Sequence, residues 1–319
     1  MSDLSFPLEI DQDYQLRLNG LVRSVKLARD FNLIFLHCNY RCLRQQIQKI
    51  LLEKCPEVRA LNLSSDAQSL NQALETVVTD EQPQAVIVND LDLVTNLSDF
   101  LVRTNQNRDQ FKNIFPFPLL IWITDDVQKM MTKVAPDFLS LDSAPVRFRL
   151  SSNQLLTFLD QEAEQLFTNL FSSDVEDLID GKYQRHCLSR QEVISALQDL
   201  DREGIDLEPE LAASVKFALG KDDYERDLIE DAIAKYTDSL IFWEQQSNFA
   251  KQGITNFYLG LCHLRQAELN RAESVTHWEV ADSFFQAALT AFTRGELQQL
   301  KAKFIGYHGE VLKLLERWS

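Results

Sequence analysis

Five short, nearly continuous apolar runs, at 31–36, 58–63, 85–88, 119–123 and 146–150, set what the first half of this chain can fold into. They show little alternation of polar and apolar side chains, which is the pattern of strands covered on both faces. Segments of helical spacing separate them. One is Arg41 to Lys54, with Leu43, Ile47, Ile50 and Leu51 on one side. A second runs from an Asp66 N-cap to Val78, with Leu70, Ala73, Leu74 and Val77. A third covers 97–112, and a fourth, capped by Asp125 or Asp126, ends near Pro136. Strands alternating with helices predict a parallel sheet between helices, a three-layer α/β domain. The competing reading is two helix-rich lobes with buried apolar segments.

Beyond Leu150 no strand-like run follows. Residues 155–171 read as one helix, 191–201 and 210–219 as short ones, and 172–190 as a polar stretch with Asp174, Glu176, Asp177 and Asp180. From about Asp227 the chain repeats with a period of 49 residues. Ala232, Tyr236, Ser239 and Leu240 recur as Ala281, Phe285, Ala288 and Leu289, and Leu259-Gly260 recurs as His308-Gly309. The spacing small–x3–aromatic–x2–small puts three side chains on one helical face. The small residues admit a neighbouring helix, the aromatic fills the gap, and the glycine of the partner helix is the point of closest approach. Stacked helical hairpins have this signature.

Charge and glycine narrow the function. The chain carries 32 Lys+Arg against 48 Asp+Glu, a net −16, and the excess is uneven: 16 against 19 in residues 1–150, 16 against 29 in 151–319. Such a field disfavours broad electrostatic binding to nucleic acid or anionic membrane. Of nine glycines only Gly20 lies in the first 150 residues, which argues against a glycine-rich phosphate loop there. The apolar stretch 114–123 is far short of the ~20 residues of a spanning helix. The acidic start is not a signal peptide and there is no lipidation box. Five sparse cysteines fit free thiols, so a cytoplasmic location is expected.

Catalytic and metal constellations are weak. His37-Cys38, His186-Cys187 and Cys262-His263 are adjacent pairs, whereas zinc ligands come two to four residues apart. No G-x-S-x-G elbow supports a triad. Neither a catalytic residue nor a metal site is expected. Arg147 and Arg149 alternate and would share a face of the last strand, and Lys301, Lys303, Lys313 and Arg317 suit charge balance at a helix C-terminus.

The tail resembles tetratricopeptide repeats (TPR) in Leu259-Gly260 and in Ala281, Phe285 and Ala288. The standard repeat puts 12 residues between that glycine and that alanine and 22 from the alanine to the next glycine; here the separations are 21 and 28, and the terminal proline is absent. The nine extra residues around Glu268 to Val275 lengthen the helices or the turn. The first half resembles P-loop ATPase domains of the AAA+ and STAND type. Where such a domain has G-x-x-x-x-G-K-[ST], this chain has His37-Cys38-Asn39-Tyr40-Arg41-Cys42-Leu43-Arg44. His37 and Cys42 replace the glycines, Leu43 the lysine, and Arg44 the hydroxyl that holds Mg²⁺. The amide nest and the phosphate-neutralising charge are thereby lost. Asn89-Asp90-Leu91-Asp92 follows the third strand, as the acidic strand does in that family. On one register Asn89 replaces the metal-binding Asp and Asp90 matches the second acid; on another Asp90 is the ligand and Asp92 is spare; and an Asp there also simply caps a turn. Thr124 sits where a polar sensor is common, or it caps the next helix. The stretch 107–126, with its two prolines, and Ala135-Pro136-Asp137-Phe138 are similar to a group of cyanobacterial-type TPR proteins whose front domain is an inactive STAND relative.

The resemblances imply a degenerate P-loop NTPase-like domain at 1–150, a helical linker or lid at 151–209 and a TPR-like α-solenoid at 210–319. They imply a non-enzymatic adaptor or scaffold, possessing no required cofactor, that binds a protein partner as a peptide or helix, with Asn256, His263 and Arg265 giving specificity. The electrostatics add a basic, or at least not strongly acidic, partner, with no nucleic acid and no membrane insertion. The alternative is a signalling switch that still binds ATP or GTP in a pocket made by Asn39, Arg41, Arg44, Asp90, Asp92 and Thr124.

Overall fold

The computed structural model describes residues 12–78, 82–142, 145–172 and 190–318. The chain divides into two compact units, Met1–Leu150 and Ser151–Ser319.

The first unit begins with α1 (Gln12–Leu27) and continues β1 (Leu33–His37), α2 (Arg41–Lys54), β2 (Val58–Asn62), α3 (Leu70–Glu75) and β3 (Ala85–Asn89). A 3₁₀ turn at Leu91–Leu93 leads to α4 (Leu97–Gln106), α5 (Arg108–Ile114), β4 (Leu119–Ile123), α6 (Asp125–Val134), α7 (Pro136–Leu139) and β5 (Val146–Arg147). The five strands form one parallel sheet in the order β2-β3-β4-β1-β5. β1 and β4 pair along their whole length, from Leu33 opposite Leu119 to His37 opposite Ile123. Alternate residues of the central strands face opposite layers. Leu33, Phe35, Val86, Val88, Leu119 and Ile121 share a core with Leu74 of α3, Phe100 of α4, Phe111 of α5, Met131 of α6 and Phe138 of α7. Ile34, Leu36, Ile87, Leu120 and Trp122 are buried on the other side, where Trp122 meets Phe148 and Phe148 meets Tyr14 of α1. Each such side chain contributes about 1.5–3 kcal/mol by leaving water.

Several local expectations change. α1 was not anticipated, although Tyr14, Leu18, Leu21 and Val25 form a buried stripe. The segment 97–112 is two helices that break at Asn107. Ser69, not Asp66, caps α3 by accepting from Gln72 N–H, and of the caps offered for α6 it is Thr124, not Asp125 or Asp126, that serves. β5 is only two residues long, so Arg149 lies beyond the strand that was to align it with Arg147. Because β5 is short, the Phe35 N–H finds no strand partner there and donates instead to Asp142 Oδ2 at 2.7 Å, which satisfies the buried amide.

The second unit is helical: α8 (Ser152–Ser172), α9 (Arg190–Arg202), α10 (Pro209–Glu225), α11 (Ile229–Gln245), α12 (Phe249–Leu269), α13 (Ser274–Arg294) and α14 (Gln298–Trp318). Segment 151–209 belongs to this unit together with 210–319, and Leu166, Phe167 and Leu170 of α8 lie in the same core as Phe217, Tyr236 and Trp243. From α10 onward each helix packs on the next. The extra residues of the long repeat enter the helices, since α12 and α13 have 21 residues each where α10 and α11 have 17.

Glycines mark the closest helix contacts. A Cβ on Gly260 would lie 2.7 Å from Phe285 Cε1 and Cζ, one on Gly253 2.5 Å from Phe292 Cζ, and one on Gly220 3.1 Å from the Tyr236 ring. Gly309 is different: nothing lies within 4 Å of its Cβ position. Three turns join successive helices with one geometry. Asp227, Ser247 and Glu296 take left-handed φ values of 59°, 53° and 56°. The next residue's N–H then reaches back five residues, as Leu228 to Asp223, Asn248 to Trp243 and Leu297 to Phe292. This closes each helix with a Schellman motif. Lys301 and Lys303 lie near the start of α14, so only Lys313 and Arg317 of that basic cluster fall toward its C-terminus.

Candidate functional site

In the parallel sheet, the connection after β1 leaves toward β2 and the connection after β4 leaves toward β5. Adjacent strands whose connections run in opposite directions over the sheet leave a crevice at their C-terminal ends, which is where ligands bind in α/β sheets. The residues that follow β1, β3 and β4 therefore define the site.

The connection from β1 to α2 is only Cys38, Asn39 and Tyr40, and α2 begins at Arg41. Tyr40 stands at the N-cap without a side-chain bond to the helix. Internal polar bonds fill the space around this short loop. Asn39 Nδ2 donates to Asp125 Oδ2 at 2.8 Å, and Asp125 N–H donates to Asn39 Oδ1 at 2.9 Å. His37 Nε2 lies 2.9 Å from the other Asp125 oxygen, within ion-pair range but without hydrogen-bond alignment. Arg44 is buried, and its Nε donates to the Cys38 carbonyl at 2.9 Å while Nη1 reaches Asp92 Oδ1 at 3.1 Å. Thr124 Oγ1 accepts from Val127 N–H at 3.1 Å, so the hydroxyl is the α6 cap.

Beside this closed loop lies an open cleft of about 720 Å³. Arg41, Arg44, Gln45, Gln48, Lys49 and Glu53 of α2 line one side, and Asn62, Asn89, Asp90 and Trp122 the ends of the strands. Asp90 has a left-handed φ of 62°. Burial raises its carboxyl above the ordinary range, and Asp92 adds to this against the pull of Arg41 and Arg44. The lining offers three cations, of which Arg44 is paired with Asp92, several amides and two carboxylates, but no Ser, Thr, Cys or His. It can hold a polar or anionic group.

The six predicted pocket residues thus separate. Arg41, Arg44 and Asp90 line the cleft, Asp92 neutralises Arg44, and Asn39 and Thr124 are engaged with Asp125 and α6. Gln45, Gln48, Lys49 and Asn62 were not foreseen as lining residues. For Gln45, Gln48 and Lys49 the signal was the helical spacing of α2, which puts them on one side with Arg41; Asn62, at the end of β2, carried no such signal.

On the second unit, Asn256, His263 and Arg265 all lie on α12. Asn256 is buried and donates to the Gln252 carbonyl at 2.9 Å within its own helix. Arg265 pairs with Asp227 at 2.9 Å and with Glu268 at 2.8 Å. His263 stacks on Phe284, and its Nδ1 lies 3.5 Å from Nδ1 of His277. Burial, then His277, lowers the His263 pKa. Lys251 is buried between the rings of Phe167 and Trp243, 4.6 Å from each centroid, and pairs with Glu164. Asp223 is fully buried and bonded to Arg190 and Lys235. These bonds outweigh burial, which alone would raise its pKa, and hold it below the usual carboxylate range.

Among the described residues no group of three or more His, Cys, Asp or Glu is placed to hold a metal ion, and no helix is long and apolar enough to cross a membrane. The pair His186-Cys187 lies outside the described residues. No protein-family model matches the chain, and a search of curated proteins gives no match.

Proposed function

We propose that this chain is a non-enzymatic adaptor: a P-loop NTPase-like domain that has lost its phosphate loop, joined to TPR-like hairpins that bind a protein partner. One observation carries the first half of this reading. The connection where a phosphate loop would wrap its ligand is three residues long, and Arg44, which stands in place of the Mg²⁺-holding hydroxyl, is folded back onto the Cys38 carbonyl and Asp92. The repeated seating of aromatic rings over helix glycines supports the second half. The partner is a peptide or helix, and the acidic charge of residues 151–319 favours one that is basic. A cytoplasmic location belongs to the same proposal.

A phosphate-release assay with Mg-ATP and Mg-GTP tests the reading. It expects no turnover above the protein-free blank; turnover abolished by Asp90→Asn would refute it. For the partner, binding of basic peptides should weaken as salt rises, and salt-independent binding of acidic peptides alone would remove the electrostatic part. A second reading, a switch that binds nucleotide without hydrolysing it, is favoured by the cleft itself, with Arg41 and Lys49 as its cations.

A further inference from the structure

Ile305 and Leu312 are exposed on α14, 51% and 39% respectively, and the 49-residue repeat explains what such a face is for. On α12 the residues Gly253, Phe257, Gly260 and His263 face α13. Phe292 fills the space over Gly253, Phe285 fills the space over Gly260, Phe257 meets Phe285 at 5.4 Å, and His263 lies against Phe284. One repeat later the same positions of α14 are Ala302, Gly306, Gly309 and Leu312. Ala302, Gly306 and Leu312 are exposed, and no heavy atom lies within 4 Å of a Cβ built on Gly306 or Gly309. Among the described residues, the seat that α12 fills with α13 is therefore bare on α14.

The internal repeat also specifies the occupant. The helix seated on α12 carries Ala281, Phe285, Ala288 and Phe292, and the one seated on α10 carries Ala232, Tyr236, Ser239 and Trp243. Both show small–x3–aromatic–x2–small–x3–aromatic. These two faces of the chain are already buried, so a second folded copy cannot offer them.

We infer that the exposed stripe Ala302–Ile305–Gly306–Gly309–Leu312 of α14 docks an amphipathic helix of a partner protein bearing this small–aromatic face, as an added layer of the stack. This rests on the adaptor reading and names the partner's recognition face; it uses none of the residues of the first unit.

The test is fluorescence anisotropy of a labelled peptide spanning Ser274–Arg294, which carries the required face, titrated with the whole protein. Binding in the micromolar range is expected, weakened about tenfold or more by Phe285→Ala with Phe292→Ala in the peptide. Gly309→Leu or Ile305→Asp in the protein should weaken it equally, while circular dichroism stays unchanged because, among the described residues, nothing lies within 4 Å of the Gly309 Cβ position and the Ile305 side chain is half exposed. No binding at about 200 μM protein, far above the micromolar dissociation constant expected, would overturn the proposal. So would equal binding by the Gly309→Leu protein, which would mean the peptide exchanges with α13. A dimer abolished by Gly309→Leu would overturn the choice of occupant. Loss of this surface would leave the phosphate-release result standing, so the two failures are distinguishable.

Discussion

Replacing Gly253 with alanine sets two effects of known sign against each other. In an exposed helix the change gains about 0.5–1 kcal/mol, because glycine loses more backbone entropy on folding. At Gly253 the new methyl would stand 2.5 Å from Phe292 Cζ and 2.6 Å from Cδ1. The ring cannot retreat, since Phe304 stacks behind it at 5.3 Å and 17° and Phe292 is wholly buried. Overpacking of this kind costs about 1–3 kcal/mol, so Gly253→Ala should lose about 1–2 kcal/mol net. In a unit of this size that lowers Tm by about 3–6 °C. Gly309→Ala makes the same chemical change in open space and should raise stability by about 0.5–1 kcal/mol. Thermal and urea unfolding followed at 222 nm would read both. Phe292→Leu combined with Gly253→Ala should recover part of the loss, with a coupling of about 1 kcal/mol. A Gly253→Ala protein as stable as the parent, or a Gly309→Ala protein less stable, would refute the seating of rings over glycines.

Three other outcomes follow from the same geometry. Asp223→Asn should be the most damaging charge change, about 3–5 kcal/mol by urea unfolding, because it leaves Arg190 and Lys235 facing a neutral group; a loss below about 1 kcal/mol would show that the pairs are not formed in solution. Glu162 is pushed up to about 7 by burial and by Glu192, so the folded state holds a proton that the unfolded state releases near the ordinary value of 4.5. Stability should therefore fall as pH rises from about 4.5 through 7, and Glu162→Gln should flatten that slope in a pH series of unfolding curves. Arg44→Lys should not replace arginine, since an ammonium cannot serve the Cys38 carbonyl and Asp92 in the same fork; a loss of about 1–3 kcal/mol is expected, and an unchanged midpoint would contradict the role given to Arg44.

The legible parts of the fold were those decided by local pattern. The stripe Leu43, Ile47, Leu51 specifies α2, and the unbroken run Leu119–Ile123 specifies a central strand. α1 was obscured because exposed Leu16 and Leu27 and a scatter of basic residues dilute its buried stripe. The break at Asn107 carries no proline or glycine to announce it. Gly220 stands 12 residues before Ala232 where Gly260 stands 21 before Ala281, so the helix pair α10–α11 falls outside the 49-residue period and its likeness to α12–α13 is hidden in the sequence. The site was less legible for a physical reason. Asn39 and Asp125 are 86 positions apart, and only the adjacency of β1 and β4 brings them together. The residues His37, Cys42, Leu43 and Arg44 argued against a glycine-rich phosphate cradle, but did not foretell the bonds of Arg44 to the Cys38 carbonyl and Asp92.

Whether the short β1–α2 connection leaves a place for nucleotide can be read from ligand-dependent stability. Thermal unfolding should be measured with and without millimolar Mg-ATP and Mg-GTP. No change in midpoint is expected, because the β1–α2 connection presents no open phosphate cradle. An upward shift equivalent to about 2.7 kcal/mol at a hundredfold excess over the dissociation constant, lost on Arg41→Ala, would contradict it and make the cleft along α2 a nucleotide site.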